Sequence, residues 1–67
     1  MRLKVTFKYF IEKNDGLPNR KMDWCIVHVE KLNADAYEFI DKKVRDYHKK
    51  HHRGCMYYGI VAINAYM

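Results

Sequence analysis

Histidine and cysteine side chains are concentrated near one end of the chain. Three of the four histidines and one of the two cysteines fall between His48 and Cys55. Because His48 and His52 are four residues apart, one face of a helix would present both imidazoles, as metal-binding helices do. Cys55 could supply a third ligand, and His28 or Cys25 a fourth. The surrounding lysines and arginine oppose a bound cation, however, so we expect no metal ion and no other cofactor.

The same segment contains the groups that metal-independent ribonucleases use. Such enzymes need a histidine base, a cation for the phosphate and sometimes a tyrosine. His48, His52, Arg53 and Tyr57 could supply these groups. Their spacing does not distinguish this hypothesis from simple charge clustering, so a small ribonuclease toxin ranks third among the functions considered.

Other catalytic schemes lack the residues they require. The chain contains no serine, and its three glycines are isolated, which excludes a serine nucleophile and a glycine-rich phosphate loop. Cys25 and His28 are three residues apart on a predicted strand and therefore point to opposite faces. With 67 residues there is also little room for a pocket. We therefore predict that the protein is not an enzyme.

Positive charge is concentrated in the segment from Lys42 to Arg53. This segment holds six lysines and arginines and one aspartate, a balance equal to the net charge of +5 of the whole chain. On a helical wheel Lys42, Arg45 and Lys49 lie opposite the apolar stripe and form a solvent-facing ridge. Such a ridge can contact phosphates or an acidic protein surface. The predicted binding residues are Lys42, Arg45, Lys49, Lys50 and Arg53.

Aromatic and basic residues also occur together in the first strand. Lys4 and Lys8 flank three rings, but strand alternation places only Phe10 on the side of the lysines. Phe7 and Tyr9 are expected in the core. The first strand alone therefore does not predict a surface on which bases could stack.

Hydrophobic periodicity predicts three strands. Apolar residues alternate from Arg2 to Glu12, and further strands are predicted for Met22–Leu32 and Met56–Tyr66. The intervening segment, Lys13–Lys21, reads as a loop whose turn is Asn14-Asp15-Gly16.

A helix is predicted between the second and third strands. Asn33 or Asp35 caps its first turn, and Gly54 is placed to end it. Its core-facing stripe is expected to contain Ala36, Ile40, Val44 and Tyr47, with Tyr37 and His51 beside them.

These elements predict a single α+β domain over residues 1–67, with the order ββαβ. The simplest mainly antiparallel sheet has the first strand in the middle and the helix packed on one face. The opposite face would carry Trp24, Ile26, Phe10 and alternate residues of the last strand, and it would remain uncovered. An uncovered apolar face and two free edge strands favour association with another chain. We therefore expect a homodimer that forms through the open face or an edge strand.

Charge and composition limit the compartment and the partner. Met1-Arg2 leads directly into a strand rather than a signal peptide, and no apolar run approaches the roughly 20 residues that cross a bilayer. We expect a cytoplasmic protein with no membrane partner. The leading hypothesis is a small non-enzymatic binding protein, an inhibitor or adaptor of the phage or mobile-element type, that engages a larger protein machine through its basic helix. The second hypothesis is a nucleic-acid-binding module without sequence specificity.

Overall fold

Three strands and one helix make up the structure, a computed structural model that describes residues 1–11 and 19–66. In chain order they are β1 (Arg2–Ile11), β2 (Asn19–His28), α1 (Ala34–His51) and β3 (Met56–Ala65). The sheet order is β2-β1-β3, with β1 antiparallel to both neighbours and α1 on one face. The predicted α+β fold with a central first strand is therefore confirmed. The predicted turn at Asn14-Asp15-Gly16 lies outside the described residues.

The second strand begins and ends earlier than its sequence predicts. Pairing runs from Ile11 opposite Asn19 to Arg2 opposite His28. Each of the ten residues of β1 therefore lies opposite one residue of β2. Beyond His28, the chain pairs with Met1, the residue that precedes β1. There, the Val29 N–H donates to the Met1 carbonyl at 2.9 Å. The limits of β2 thus follow from the length of β1 rather than from its own apolar pattern.

The core lies between the sheet and α1. Alternate residues of β1 are buried because this strand is covered by a strand on each side and by the helix above. Val5 and Phe7 meet Ile40 and Val44 of the helix, and all four are fully inaccessible to solvent. Each such side chain contributes about 1.5–3 kcal/mol through removal from water.

Local signals define both ends of α1. The Asn33 Oδ1 accepts the Ala36 N–H at 2.8 Å, so Asn33 is the N-cap residue. At the other end His52 is the C-cap, and Gly54 adopts a φ of +83°. Glycine is favoured there because a Cβ is strained in the left-handed region. Gly54 lies one residue further from the helix end than predicted, since the side chain of His52 turns back toward the sheet.

The buried stripe of α1 differs from the predicted one in its last turns. Ile40 and Val44 are buried as expected, but Tyr37 and His51 are exposed. His48 is buried instead, with 6% of its surface accessible. Ile40, Val44 and His48 form an i, i+4 row that winds slowly around the helix axis. The helix contacts the sheet along this row because the strands beneath it twist.

The outward surface of α1 is polar. Lys42, Asp46 and Lys49 are all exposed along it. Within residues 1–11 and 19–66, no helix has the length and apolar character needed to cross a membrane.

Candidate functional site

Four cations form an exposed cluster on the C-terminal half of α1 and just beyond it. This cluster, the helix patch, consists of Lys42, Lys49, Lys50 and Arg53. Among the described side chains, none of the four takes part in an ion pair. The helix patch therefore keeps its positive charge available to a partner.

Arg45 departs from the predicted ridge. Its Nε lies 2.8 Å from the Asp41 Oδ2, and its guanidinium carbon lies 4.9 Å from the centre of the Tyr57 ring. These contacts direct Arg45 toward β3, away from the outer surface of the helix. An exposed pair of this kind contributes little to stability, but it separates Arg45 from the helix patch.

The N-terminal half of α1 has a different surface. Tyr37 and Phe39 are about half exposed there, and so is Leu32, which lies just before the helix. The Lys43 ammonium lies 5.4 Å from the centre of the Phe39 ring. Four carboxylates are distributed along the same helix: Asp35, Glu38, Asp41 and Asp46. Exposed aromatic residues beside cations are typical of surfaces that bind proteins.

The second candidate surface is the sheet face opposite α1, called here the open face. Pairing places Lys4 opposite Ile26, Thr6 opposite Trp24, and Lys8 between the two flanking strands. The face carries four cationic side chains: Arg2, Lys4, Lys8 and Arg20. No carboxylate lies on it among the described strand residues, because Asp23 points to the helix side, where it contacts His52.

Aromatic rings lie beside the lysines of the open face. The Lys4 ammonium is 4.8 Å from the centre of the Trp24 ring, and the Lys8 ammonium is 5.5 Å from that of Tyr58. Phe10 packs edge-on against Tyr58 with ring centres 5.3 Å apart. Trp24 and Tyr58 remain 45% and 67% exposed.

The sequence predicted Phe10, Trp24 and alternate residues of the last strand on the open face, without identifying which residues of that strand. Two irregularities in the β1–β3 pairing, between Thr6 and Phe7 and between Lys8 and Tyr9, shift the alternation of β3. Simple alternation along β3 cannot locate these shifts. The exposure of an aromatic residue in an otherwise apolar strand is visible only once the strands are paired.

A cluster of histidines and tyrosines fills the other face near the end of α1. The His52 Nε2 lies 2.7 Å from the Asp23 Oδ2, and its ring stacks on Tyr9 with centres 4.1 Å apart. The His48 ring lies 5.7 Å from His52 and 5.5 Å from Tyr57, measured between ring centres. These rings close the end of the core.

The cluster brings the predicted ribonuclease residues to one cavity of about 450 Å³. Its lining residues are His48, Lys49, His52, Arg53, Gly54, Cys55 and Tyr57. However, the Nε2 of His48 and the hydroxyl of Tyr57 are enclosed and make no hydrogen bond. A general base must reach the proton that it removes. This geometry therefore supports packing better than acid–base catalysis.

Burial alters the ionisation of the enclosed groups. Desolvation, with a smaller contribution from His52, lowers the pKa of His48 and so favours its neutral form. Desolvation also raises the pKa of Tyr57 to about 12, and the nearby Asp41 carboxylate adds to this effect while Arg45 opposes it.

The two residues considered as a fourth metal ligand, His28 and Cys25, do not line this cavity. His28 lies on the open face, opposite Arg2, whereas Cys25 is buried beneath the helix. Both Cys25 and Cys55 are free thiols. In the part of the chain that the structure describes, no three His, Cys, Asp or Glu side chains are grouped as metal ligands would be.

Comparison with known proteins identifies no relative. No protein-family model matches the sequence, and neither a curated protein nor a solved structure matches it significantly. The candidate surfaces must therefore be interpreted from their own geometry.

Proposed function

We propose that this protein is a small non-enzymatic binding protein, an inhibitor or adaptor that engages an acidic surface of a larger protein through α1. One observation carries the proposal. The helix patch presents four exposed cations that have no ion-pair partner among the described side chains. Such a surface speeds association with an acidic partner and selects against basic ones.

The rest of the helix surface favours a protein over a nucleic acid as its partner. Phe39, three residues before Lys42 on the helix, supplies apolar contact area next to the helix patch. Asp46 lies among the patch lysines, and Glu38 lies in the helix's N-terminal half. Carboxylates at these positions would repel a phosphate backbone that followed the helix.

Charge reversal on the helix patch tests the proposal. We expect K42E/K49E to abolish capture of the partner protein when the tagged full-length chain is used as bait in cells that naturally contain it. Arg45 is left unchanged because it is bonded to Asp41. The matched control is K4E/K8E, which makes the same change of charge on the open face. Captured proteins are quantified by mass spectrometry, and circular dichroism checks the fold of each variant.

The set of proteins lost decides the outcome. Proteins that K42E/K49E loses and K4E/K8E retains support binding through the helix. Identical sets for the wild type and K42E/K49E would contradict the proposal. A mobility-shift assay with duplex DNA tests the second hypothesis, since duplex binding that disappears in K42E/K49E would assign the helix patch to nucleic acid instead.

We further propose that the protein works in the cytoplasm, where its two free thiols would stay reduced, and that it forms a homodimer through an edge strand. Charge favours the edge over the open face as the dimer contact, because two open faces would bring eight cations together and the described strand residues place no carboxylate there. Both β2 and β3 keep one unpaired side. Sedimentation velocity at micromolar concentration tests this, and a purely monomeric protein would contradict it.

A further inference from the structure

The open face carries a concentration of positive charge that the net charge of the chain does not reveal. Outside the Lys42–Arg53 segment the chain is neutral, with seven charges of each sign. Folding separates these charges. Arg2, Lys4, Lys8 and Arg20 lie on the open face, whereas Asp23 lies on the helix side. The open face is therefore a second positive surface, on the opposite side of the molecule from the helix.

The open face also places aromatic rings where planar groups can stack. Trp24 on β2 and Tyr58 on β3 flank β1, so across the sheet they are two strand spacings apart, about 10 Å. They are also offset along the strands, because Trp24 lies opposite Thr6 and Tyr58 lies beside Lys8. Lys4 and Lys8 lie between them, each with its ammonium beside one ring. Both rings remain accessible, since about half of Trp24 and two thirds of Tyr58 are exposed.

Rings and cations in this arrangement match the chemistry of single-stranded nucleic acid. Bases stack on aromatic side chains whatever their sequence, and the intervening phosphates pair with lysine or arginine. A sheet with two or three accessible aromatic residues holds two or three unstacked bases. Double-stranded nucleic acid does not fit, because its bases are already stacked on one another.

We propose that the open face binds single-stranded nucleic acid, with Trp24 and Tyr58 stacking on bases and Lys4 and Lys8 contacting phosphates. This function is independent of the protein partner proposed for α1 and uses the other side of the molecule. It has no requirement for a particular base sequence.

A second copy of this chain is a poorer occupant of the same face. Face-to-face packing would bury the lysines against lysines, and the described strand residues of this face offer no carboxylate to compensate. It would also cover Trp24 and Tyr58 symmetrically, which removes them from solvent without satisfying the ammonium groups. A polyanion satisfies the charges and covers the rings together.

The intrinsic fluorescence of the protein reports on this site directly. Trp24 is the only tryptophan in the chain. All tryptophan fluorescence therefore comes from this site, and a base that stacks on Trp24 quenches it. We expect quenching that saturates when oligo-dT or oligo-U of about 10 nucleotides is titrated into the full-length protein. Comparison of the two oligonucleotides shows whether DNA or RNA is preferred. An equal concentration of duplex DNA is expected to quench much less.

Substitutions on the open face are expected to weaken binding, measured by the anisotropy of a labelled oligonucleotide at physiological salt. W24A and Y58A are each expected to lower affinity about tenfold, since each removes a stacking ring. K4A/K8A is expected to reduce the slope of log K against log salt by about 1.4, the value for two phosphate contacts on a single strand.

Matched controls come from the helix. F39A removes a half-exposed aromatic ring, and K42A/K49A removes two exposed lysines, both away from the open face. Neither is expected to change affinity more than twofold at physiological salt. Equal loss in the helix and open-face variants would overturn the proposal, as would wild-type affinity in W24A and Y58A. A wild-type protein that sediments as a dimer, excludes the oligonucleotide and becomes monomeric in W24A would assign the face to a second copy instead.

Discussion

His48 shows how one residue links the fold to pH. It is the one polar side chain that is buried among the described residues, and Tyr9, His52 and Tyr57 surround it. No hydrogen bond satisfies its Nε2. An enclosed, unpartnered imidazole is tolerated only in its neutral form, because burial of an unpaired charge is costly.

We therefore predict that acidification destabilises the protein through His48. The pKa of His48 is lowered in the folded state, so the unfolded chain takes up its proton first as the pH falls. The stabilisation is complete above the unfolded pKa of about 6.5 and is lost as the pH falls toward the lower folded pKa. One proton gives a slope of at most about 1.4 kcal/mol per pH unit. The free energy of unfolding in urea, measured between about pH 7.5 and 5, checks this expectation.

The control for this prediction is H48F, which keeps an aromatic ring in the cluster and removes the titrating group. Its stability should depend less steeply on pH than that of the wild type. Identical pH profiles would show that His48 does not titrate between the two states.

At the scale of the elements, the ends of α1 depend on two local devices. At the start, the Asn33 side chain satisfies the Ala36 N–H. We predict that N33A lowers the free energy of unfolding by about 1 kcal/mol, whereas N33D, which also caps well, leaves it nearly unchanged. Urea denaturation measures both. Equal stability of N33A and the wild type would mean that solvent replaces the cap without cost.

At the end of α1, the chain relies on the conformational freedom of Gly54. A Cβ at this position meets no atom within 4 Å, so any cost of G54A comes from the positive φ alone. We predict a loss of about 1 kcal/mol. Gly59 is the matched control, because its Cβ also meets open space and its φ is not positive. G59A should not destabilise the protein, and an equal loss in both variants would refute the backbone explanation.

At the scale of the whole molecule, two positive surfaces lie on opposite sides of a body about 18 Å thick. At physiological ionic strength the Debye length is about 8 Å, so the helix patch should not influence a ligand on the open face. At about 0.01 M salt the Debye length is about 30 Å and exceeds the thickness of the molecule.

Affinity for an oligonucleotide at these two salt concentrations distinguishes direct phosphate contacts from the long-range electrostatic field of the protein. K42A/K49A should leave oligo-dT affinity unchanged at about 0.15 M salt but lower it at about 0.01 M. K4A/K8A should lower it at both, because its lysines contact the phosphates. Anisotropy titrations at the two salt concentrations measure the effect. A helix variant that weakens binding equally at both would indicate that the strand also contacts α1.

The two surfaces also permit an adaptor role. An acidic protein on α1 and a single strand on the open face would not compete for space, since the sheet lies between them. Binding of both at once would connect the protein machine to its nucleic acid. Mutual exclusion would instead suit an inhibitor.

The sequence by itself determined the local features. Alternation in β1, the cap at Asn33 and the basic segment of α1 each depend on neighbouring residues, so they could be predicted from the order of residue types. The central position of β1 also followed, because a helical crossover separates the other two strands. Periodicity correctly placed Ile40 and Val44 in the core.

Only the tertiary structure decided which side chains meet. Register and its irregularities bring Lys4 to Trp24 and Lys8 to Tyr58, and these pairings join residues that are distant in the chain. The angle at which α1 crosses the twisted sheet buries His48 rather than His51. Charge totals do not show that Asp23 lies on the helix side of the sheet while Lys4 and Lys8 lie on the open face. The histidine segment that seemed most reactive in the sequence closes the core, because packing against a twisted sheet depends on all three strands together.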